Sequence, residues 1–210
     1  MSEPVTGAAP AGCATCGKPT SVCVCDRCPA VAVSRQVVIL QHPQEQDRLL
    51  GTVPLLEAVA GARRVVGLSW PNAAAVTGGA GRWAVVWPGQ LPRELTAAEA
   101  ATPVLALDPK GRRVPLEHDG YLLLDGSWSQ AKALWWRNAW LLRLDRVVLC
   151  PSAPSIYGRL RREPRKSFVS TLEAAADVLV AAGEPEELRT TLHRAMRTLV
   201  QRARASEAAP

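Results

Sequence analysis

Tyr121-Leu122-Leu123-Leu124-Asp125-Gly126-Ser127-Trp128-Ser129-Gln130-Ala131-Lys132 is the stretch that decides the fold class. Its apolar run has the composition of a strand buried on both faces of a sheet. The run stops at a carboxylate and a glycine. Ser127 and Gln130, three positions apart, then have the spacing of a capping box that opens a helix. A buried strand that turns sharply into a helix is one half of a βαβ unit, which predicts an α/β protein with a parallel sheet.

On either side of it, the runs Gln36–Leu40, Arg64–Ser69, Trp83–Trp87 and Arg146–Leu149 read as companion strands buried on both faces. Helical patterns alternate with them. Thr52–Gly61 has Pro54 in its first turn, Leu55, Leu56 and Val59 on one side, and Gly61 as its stop. Ser127–Leu142 is studded with Trp128, Trp135, Trp136 and Trp140. A third helix starts at Ser170, with a capping box to Glu173, and runs to about Ala182. The last, from about Pro185 to Ala205, sets Leu188, Leu192, Met196, Leu199 and Ala203 opposite Arg189, Arg194, Arg197, Arg202 and Arg204, a basic face that reads first as solvated.

A chain of 210 residues with 48% hydrophobic content can bury one catalytic-size core plus a small accessory element. Residues 1–12 lack periodicity and read as a disordered leader, 13–30 as a Cys-rich knuckle and 31–205 as the main domain. There is no bilayer-length apolar run and no secretory pattern at the start, so the expected compartment is the cytoplasm and no membrane partner is expected. The formal charge of +6 suits a polyanionic partner. The basic residues are 21 Arg and 4 Lys, a bias that base composition can also impose, so clustering carries more weight than the total.

Cys13, Cys16, Cys23 and Cys25, with Cys28 close behind, crowd into one Gly/Pro-containing segment. In a reducing compartment such crowding points to tetrahedral zinc ligation rather than to disulfides. Five thiols compete for four places, and Cys13, Cys16, Cys23 and Cys25 form the preferred set. Cys150 reads as a buried thiol at a strand end.

Asp125 falls where ligands sit in open α/β sheets, at a strand's carboxyl end beside the unpaired N–H groups of the next helix. Its competing reading is a plain helix cap. The segment Arg159-Leu160-Arg161-Arg162-Glu163-Pro164-Arg165-Lys166 holds five positive charges and one negative just before the Ser170 cap. Arg159, Arg161, Arg162, Arg165 and Lys166 are therefore candidate contacts to an RNA phosphate backbone.

The segment Asp125-Gly126-Ser127-Trp128 resembles the D-x-T-W signature of the DTW-domain family, with Ser127 in the Thr place. Further segments agree in order. Cys13-x2-Cys16-x6-Cys23-x-Cys25 resembles the family's cysteine motif, and Gln41-His42-Pro43 with Glu45 and Arg48 is similar to its H-P-x-E segment. Thr52-Val53-Pro54-Leu55-Leu56 follows, Trp87-Pro88-Gly89 resembles its Y-P-G turn, and Ser170-Thr171-Leu172-Glu173-Ala174 matches its S-T-x-E-A stretch.

The resemblance implies a SPOUT-like, knotted parallel sheet with helices on both faces. It also implies a tRNA-uridine aminocarboxypropyltransferase, which moves the 3-amino-3-carboxypropyl group of S-adenosylmethionine to uridine N3 and leaves 5′-methylthioadenosine. On that reading the catalytic candidates are Asp125, Ser127 and Trp128, with Asp125 as general base or as the grip on the donor's amino group. Gly126, Ser127, Ser170, Thr171, His42 and Glu45 are candidate contacts to the donor, His42 having a structural hydrogen-bonding role as its rival reading. Trp128 and Tyr157 are candidates to stack on an extruded base, against core packing for Trp128. The rival functions are methyl transfer from the same donor and a non-catalytic zinc-ribbon RNA-binding protein.

Overall fold

The computed structural model describes residues 12–87, 103–151, 153–158 and 169–208. The described strands are β1 (Gln36–Gln41), β2 (Arg63–Val66), β3 (Trp83–Val86), β4 (Val104–Leu107), β5 (Arg113–Val114), β6 (Gly120–Asp125) and β7 (Asp145–Leu149). They form one seven-stranded sheet in the order β2-β1-β6-β3-β7-β4-β5. The five expected strands make its parallel part, from β2 to β7. The all-parallel expectation needs correction, because β4 runs antiparallel to both β7 and β5. Val104–Leu107 is only a four-residue apolar run, and Arg113–Val114 is too short to show a period.

The strand expected at Arg64–Ser69 with two buried faces is also corrected. β2 ends at Val66 and is the sheet's edge, its residues exposed or half-buried. With β1 as its one neighbour, it carries Arg63 and Arg64, charges of the kind that discourage pairing along a free edge.

The described helices are α1 (Val53–Ala60), α2 (Ala73–Thr77), α3 (Trp128–Arg137), α4 (Thr171–Ala181) and α5 (Glu186–Ala208). Gly61 ends α1 at φ 61°, a left-handed conformation that glycine adopts without a Cβ penalty. The helix expected over Ser127–Leu142 breaks at Asn138. There the side-chain amide accepts from Trp70 N at 2.8 Å and donates to Leu68 O at 3.1 Å and Leu134 O at 2.7 Å. The chain resumes as a 3-10 turn, Ala139–Arg143. The buried amide thus binds this helix to the loop after β2.

Helices cover both faces of the sheet. Val37, Ile39 and Leu123 pack with residues of α1, α4 and α5, whereas Val38, Leu40 and Leu122 pack with Val76, Trp135 and Leu141. The α5 stripe of Leu188, Leu192, Met196, Leu199 and Ala203 is at most 1% exposed. Burying each such leucine contributes about 1.5–3 kcal/mol. Opposite that stripe, Arg189 pairs with Asp177 and Glu186, and Arg202 with Asp26. No described helix is long and apolar enough to cross a membrane.

Candidate active site and metal centre

Parallel pairing sets Gln41 of β1 opposite Asp125 of β6, at the carboxyl ends of two central strands. Gln41 Nε2 donates to Asp125 Oδ2 at 2.8 Å, and Thr171 Oγ1, at the first turn of α4, donates to Oδ1 at 2.7 Å. Gln41 is itself buried, and its Oε1 accepts from Arg64 Nη1 at 3.5 Å, while Arg64 Nε donates to Glu57 at 3.1 Å. The carboxylate is therefore fixed from two sides by neutral donors. Since an ionised carboxylate offers about four acceptor positions, each oxygen can still take one more proton donor.

Gly126 makes the turn after Asp125. A Cβ there would lie 2.8 Å from Gln130 Cβ and 3.2 Å from Gln130 Oε1. The space is used by the capping box, in which Gln130 Oε1 accepts from Ser127 N at 2.6 Å and Ser127 Oγ accepts from Gln130 N at 3.4 Å. Gln130 Nε2 also donates to Gln44 Oε1 at 3.0 Å, tying the start of α3 to the Pro43–Glu45 turn. His42 caps that turn, its Nδ1 accepting from Gln44 N at 3.3 Å. The α3 and α4 starts and the His42 turn thus border one carboxylate.

Glu173 has a different task. Its buried carboxylate accepts from Ile156 N at 2.8 Å, Ser155 Oγ at 2.7 Å, Ser170 N at 2.9 Å and Ser170 Oγ at 2.7 Å. It clasps residues 155–156 to the start of α4, beside Thr171. Ser170 is buried and spends its hydroxyl on this clasp and on Met196 Sδ at 3.5 Å.

Cys13, Cys16, Cys23 and Cys25 bring their sulfur atoms within 4.8 Å of one another, a set that can hold a metal ion. The Cys13–Cys25 and Cys16–Cys23 Sγ pairs are both 3.7 Å apart. A tetrahedron with zinc–sulfur bonds of about 2.3 Å has edges of roughly 3.8 Å, so the thiols fit that ion. All six cysteines are free of disulfides. Backbone hydrogen bonds, from Cys16 first and then Thr15, lower the Cys13 thiol to about 6, while burial pushes Cys16 and Cys25 up, a direction that a bound cation reverses. Cys28 lies outside the set. It is buried in the core and donates to Val24 O at 3.2 Å, which resolves the competition among the five thiols.

The knuckle is anchored by buried Val22 and Val24 and by buried Lys18. Lys18 Nζ donates to Arg48 O at 3.2 Å and Leu49 O at 2.7 Å, on the loop between His42 and α1.

Of the residues singled out in the sequence, Asp125, Gly126, Ser127, His42 and Thr171 come together. Glu45 is buried on the same turn and pairs with Arg48 at 3.7 Å, and Trp128 is half-buried at the start of α3. Tyr157 is corrected from a stacking residue to a core residue, 1% exposed, with its hydroxyl donating to Leu50 O at 2.6 Å. Cys150 is half-buried rather than buried. Arg159, Arg161, Arg162, Arg165 and Lys166, and the Pro88-Gly89 turn, lie outside the described residues, as do residues 1–11 of the expected leader, whose Gly12 bridges Pro19. Sequence reasoning missed Gln41, Lys18 and the clasping role of Glu173. Gln41 stood in the quoted H-P segment, yet only strand register reveals its partner.

Comparison with known proteins matches the DTW domain family over residues 11–204, so the match takes in the knuckle. The chain is 33% identical over 201 residues to a Drosophila melanogaster protein named tRNA-uridine aminocarboxypropyltransferase 2, covering 89% of this chain and 72% of that protein. It is 31% identical over 197 residues to proteins of the same name from Macaca fascicularis and Mus musculus, covering 89% of this chain and 61% of each of theirs. No solved structure matches the chain.

Proposed function

The chain belongs to the DTW-domain family, and on that premise we propose that it transfers the 3-amino-3-carboxypropyl group of S-adenosylmethionine to N3 of a tRNA uridine. The observation that carries this reading is the Asp125 carboxylate, fixed between Gln41 and Thr171 at the carboxyl ends of two central strands and bordered by two helix N-termini.

The donor's sulfonium makes each attached carbon electrophilic, and breaking its bond to the chain methylene leaves 5′-methylthioadenosine. Selecting the chain methylene over the methyl is a matter of positioning. Asp125 takes the N3 proton as the new N–C bond forms, using an acceptor position that Gln41 and Thr171 leave open. Gly126, Ser127 and the N–H groups opening α3 are assigned to the donor's carboxylate. The Ser170–Thr171 start of α4 is assigned to its adenosine through backbone groups and the Thr171 side chain. His42 and Glu45 lie on the turn beside that carboxylate, and Trp128 stands at the start of α3. The tRNA backbone is assigned to Arg159, Arg161, Arg162, Arg165 and Lys166. Zinc is the ion assigned to Cys13, Cys16, Cys23 and Cys25, as a closed structural site with no part in the transfer. A SPOUT-like knot belongs to the same reading.

Small-molecule product analysis tests the reaction type. With unmodified tRNA and S-adenosylmethionine the expected by-product is 5′-methylthioadenosine. Accumulation of S-adenosylhomocysteine instead would make the enzyme a methyltransferase. Tight tRNA binding with no donor consumption would make it a binding protein.

A further inference from the structure

On α5, Arg189 and Arg202 are tied up by Asp177, Glu186 and Asp26, while Arg194, Arg197 and Arg204 are exposed and make no ion pair among the described residues. On α3 and the turn that follows it, Lys132, Arg137 and Arg143 are all exposed, and among the described residues their side chains make neither ion pair nor hydrogen bond. No acidic residue occurs between Gly126 and Leu144 to offset them. On the same surface Trp136 leaves 73% of its area in solvent. Lys132 and Trp136 stand four residues apart and so share one face of the helix.

Among the described residues, an indole kept in water beside unneutralised cations has no packing rationale, and both groups suit a partner with flat faces and negative charge. Single-stranded nucleic acid is that partner, since bases stack on aromatic rings while phosphates take the cations. The position agrees. α3 begins at the candidate site and runs about 15 Å away from it at about 1.5 Å per residue, roughly the rise of four stacked nucleotides.

We propose that the outer face of α3, with Lys132, Trp136 and Arg137, together with Arg143 on the turn that follows it, is an RNA-contact surface that holds the nucleotides flanking the modified uridine, Trp136 stacking on an unpaired base. This rests on the tRNA-substrate reading above and adds a surface that is separate from the 159–166 segment.

The test is binding of a fluorescently labelled, unmodified tRNA transcript at several salt concentrations, with the solution mass of each protein recorded in parallel. Trp136→Ala is expected to weaken binding about 5- to 100-fold through lost stacking. Lys132→Gln, Arg137→Gln and Arg143→Gln combined are expected to lower the salt slope by about 2–3. Arg189→Gln, on α5, is expected to leave both unchanged. All these side chains lie outside the buried core, so thermal melts should show the folded state retained. Wild-type affinity and slope in the α3 variants, with tRNA still bound, would overturn this surface and leave the substrate reading standing. Failure of the wild-type protein to bind tRNA would overturn the substrate reading itself. A Trp136→Ala variant that changes from dimer to monomer while binding tRNA normally would assign the face to self-association, which also overturns the proposal.

Discussion

Asp125 accepts hydrogen bonds from Gln41 and Thr171, and an asparagine in its place keeps the size and one acceptor oxygen while losing the negative charge. On the proposed role as general base, Asp125→Asn is expected to lower turnover roughly 10²–10⁴-fold while the affinity for S-adenosylmethionine holds, measured by single-turnover assays beside calorimetry. A parallel loss of donor affinity would instead assign the carboxylate to the donor's ammonium group. Gln41 acts one step back, on the orientation of that carboxylate. Gln41→Leu is expected to lower kcat with little change in donor KM, and Gln41→Glu, which sets a second carboxylate beside Asp125, to shift the pH–rate profile upward. A wild-type profile in Gln41→Glu would make Gln41 a packing residue only. Asp125 was legible in the sequence as a carboxylate ending a buried strand, whereas Gln41 lies 84 residues away in the chain and becomes its partner only through β1–β6 pairing.

Secondary-structure elements were readable where their ends carry local chemistry. Gly61 closes α1, and the Ser127–Gln130 and Ser170–Glu173 boxes open α3 and α4, each capping a helix that was expected there. The break in α3 was hidden because Asn138 satisfies groups on distant segments, Leu68 and Trp70 among them. Glu173 was read as half of a capping box, yet it also accepts from Ser155 and Ile156. Glu173→Gln turns an acceptor oxygen into a donor against these N–H and O–H groups. Leaving buried donors unpaired costs about 2–3 kcal/mol. At roughly 2–4 °C per kcal/mol for a chain of this size, the melting temperature should fall by about 4–12 °C. A calorimetric scan with an unchanged Tm would show that the clasp contributes nothing to stability.

Across the whole molecule, the entry to β1 is held to the α4–α5 connection by Glu184, which accepts from Ser34 N at 3.0 Å, Ser34 Oγ at 2.6 Å and Arg35 N at 2.9 Å. Burial alone would raise its carboxyl, but the Ser34 hydroxyl, the two backbone amides and the Arg35 charge hold it below the ordinary value of 4.5. A depressed carboxylate stabilises the fold fully above that ordinary value and loses its contribution as pH falls through the lower folded value. Glu184→Gln is therefore expected to cost roughly 2–3 kcal/mol at neutral pH and to flatten the loss of stability below about pH 4.5, as followed by urea unfolding across pH. The knuckle ties to the rest of the chain through Val22, Val24 and Lys18, so metal analysis should find about one zinc per chain, and chelation should lower the melting temperature.

Nucleoside mass spectrometry decides whether the proposed Asp125 site carries out aminocarboxypropyl transfer to uridine. Unmodified tRNA incubated with S-adenosylmethionine and the wild-type protein should yield a uridine heavier by one 3-amino-3-carboxypropyl group, attached at N3, with the yield of Asp125→Asn lower by the factor given above. A uridine that gains only a methyl group would exclude aminocarboxypropyl transfer, and equal product from Asp125→Asn and wild type would exclude Asp125 from it.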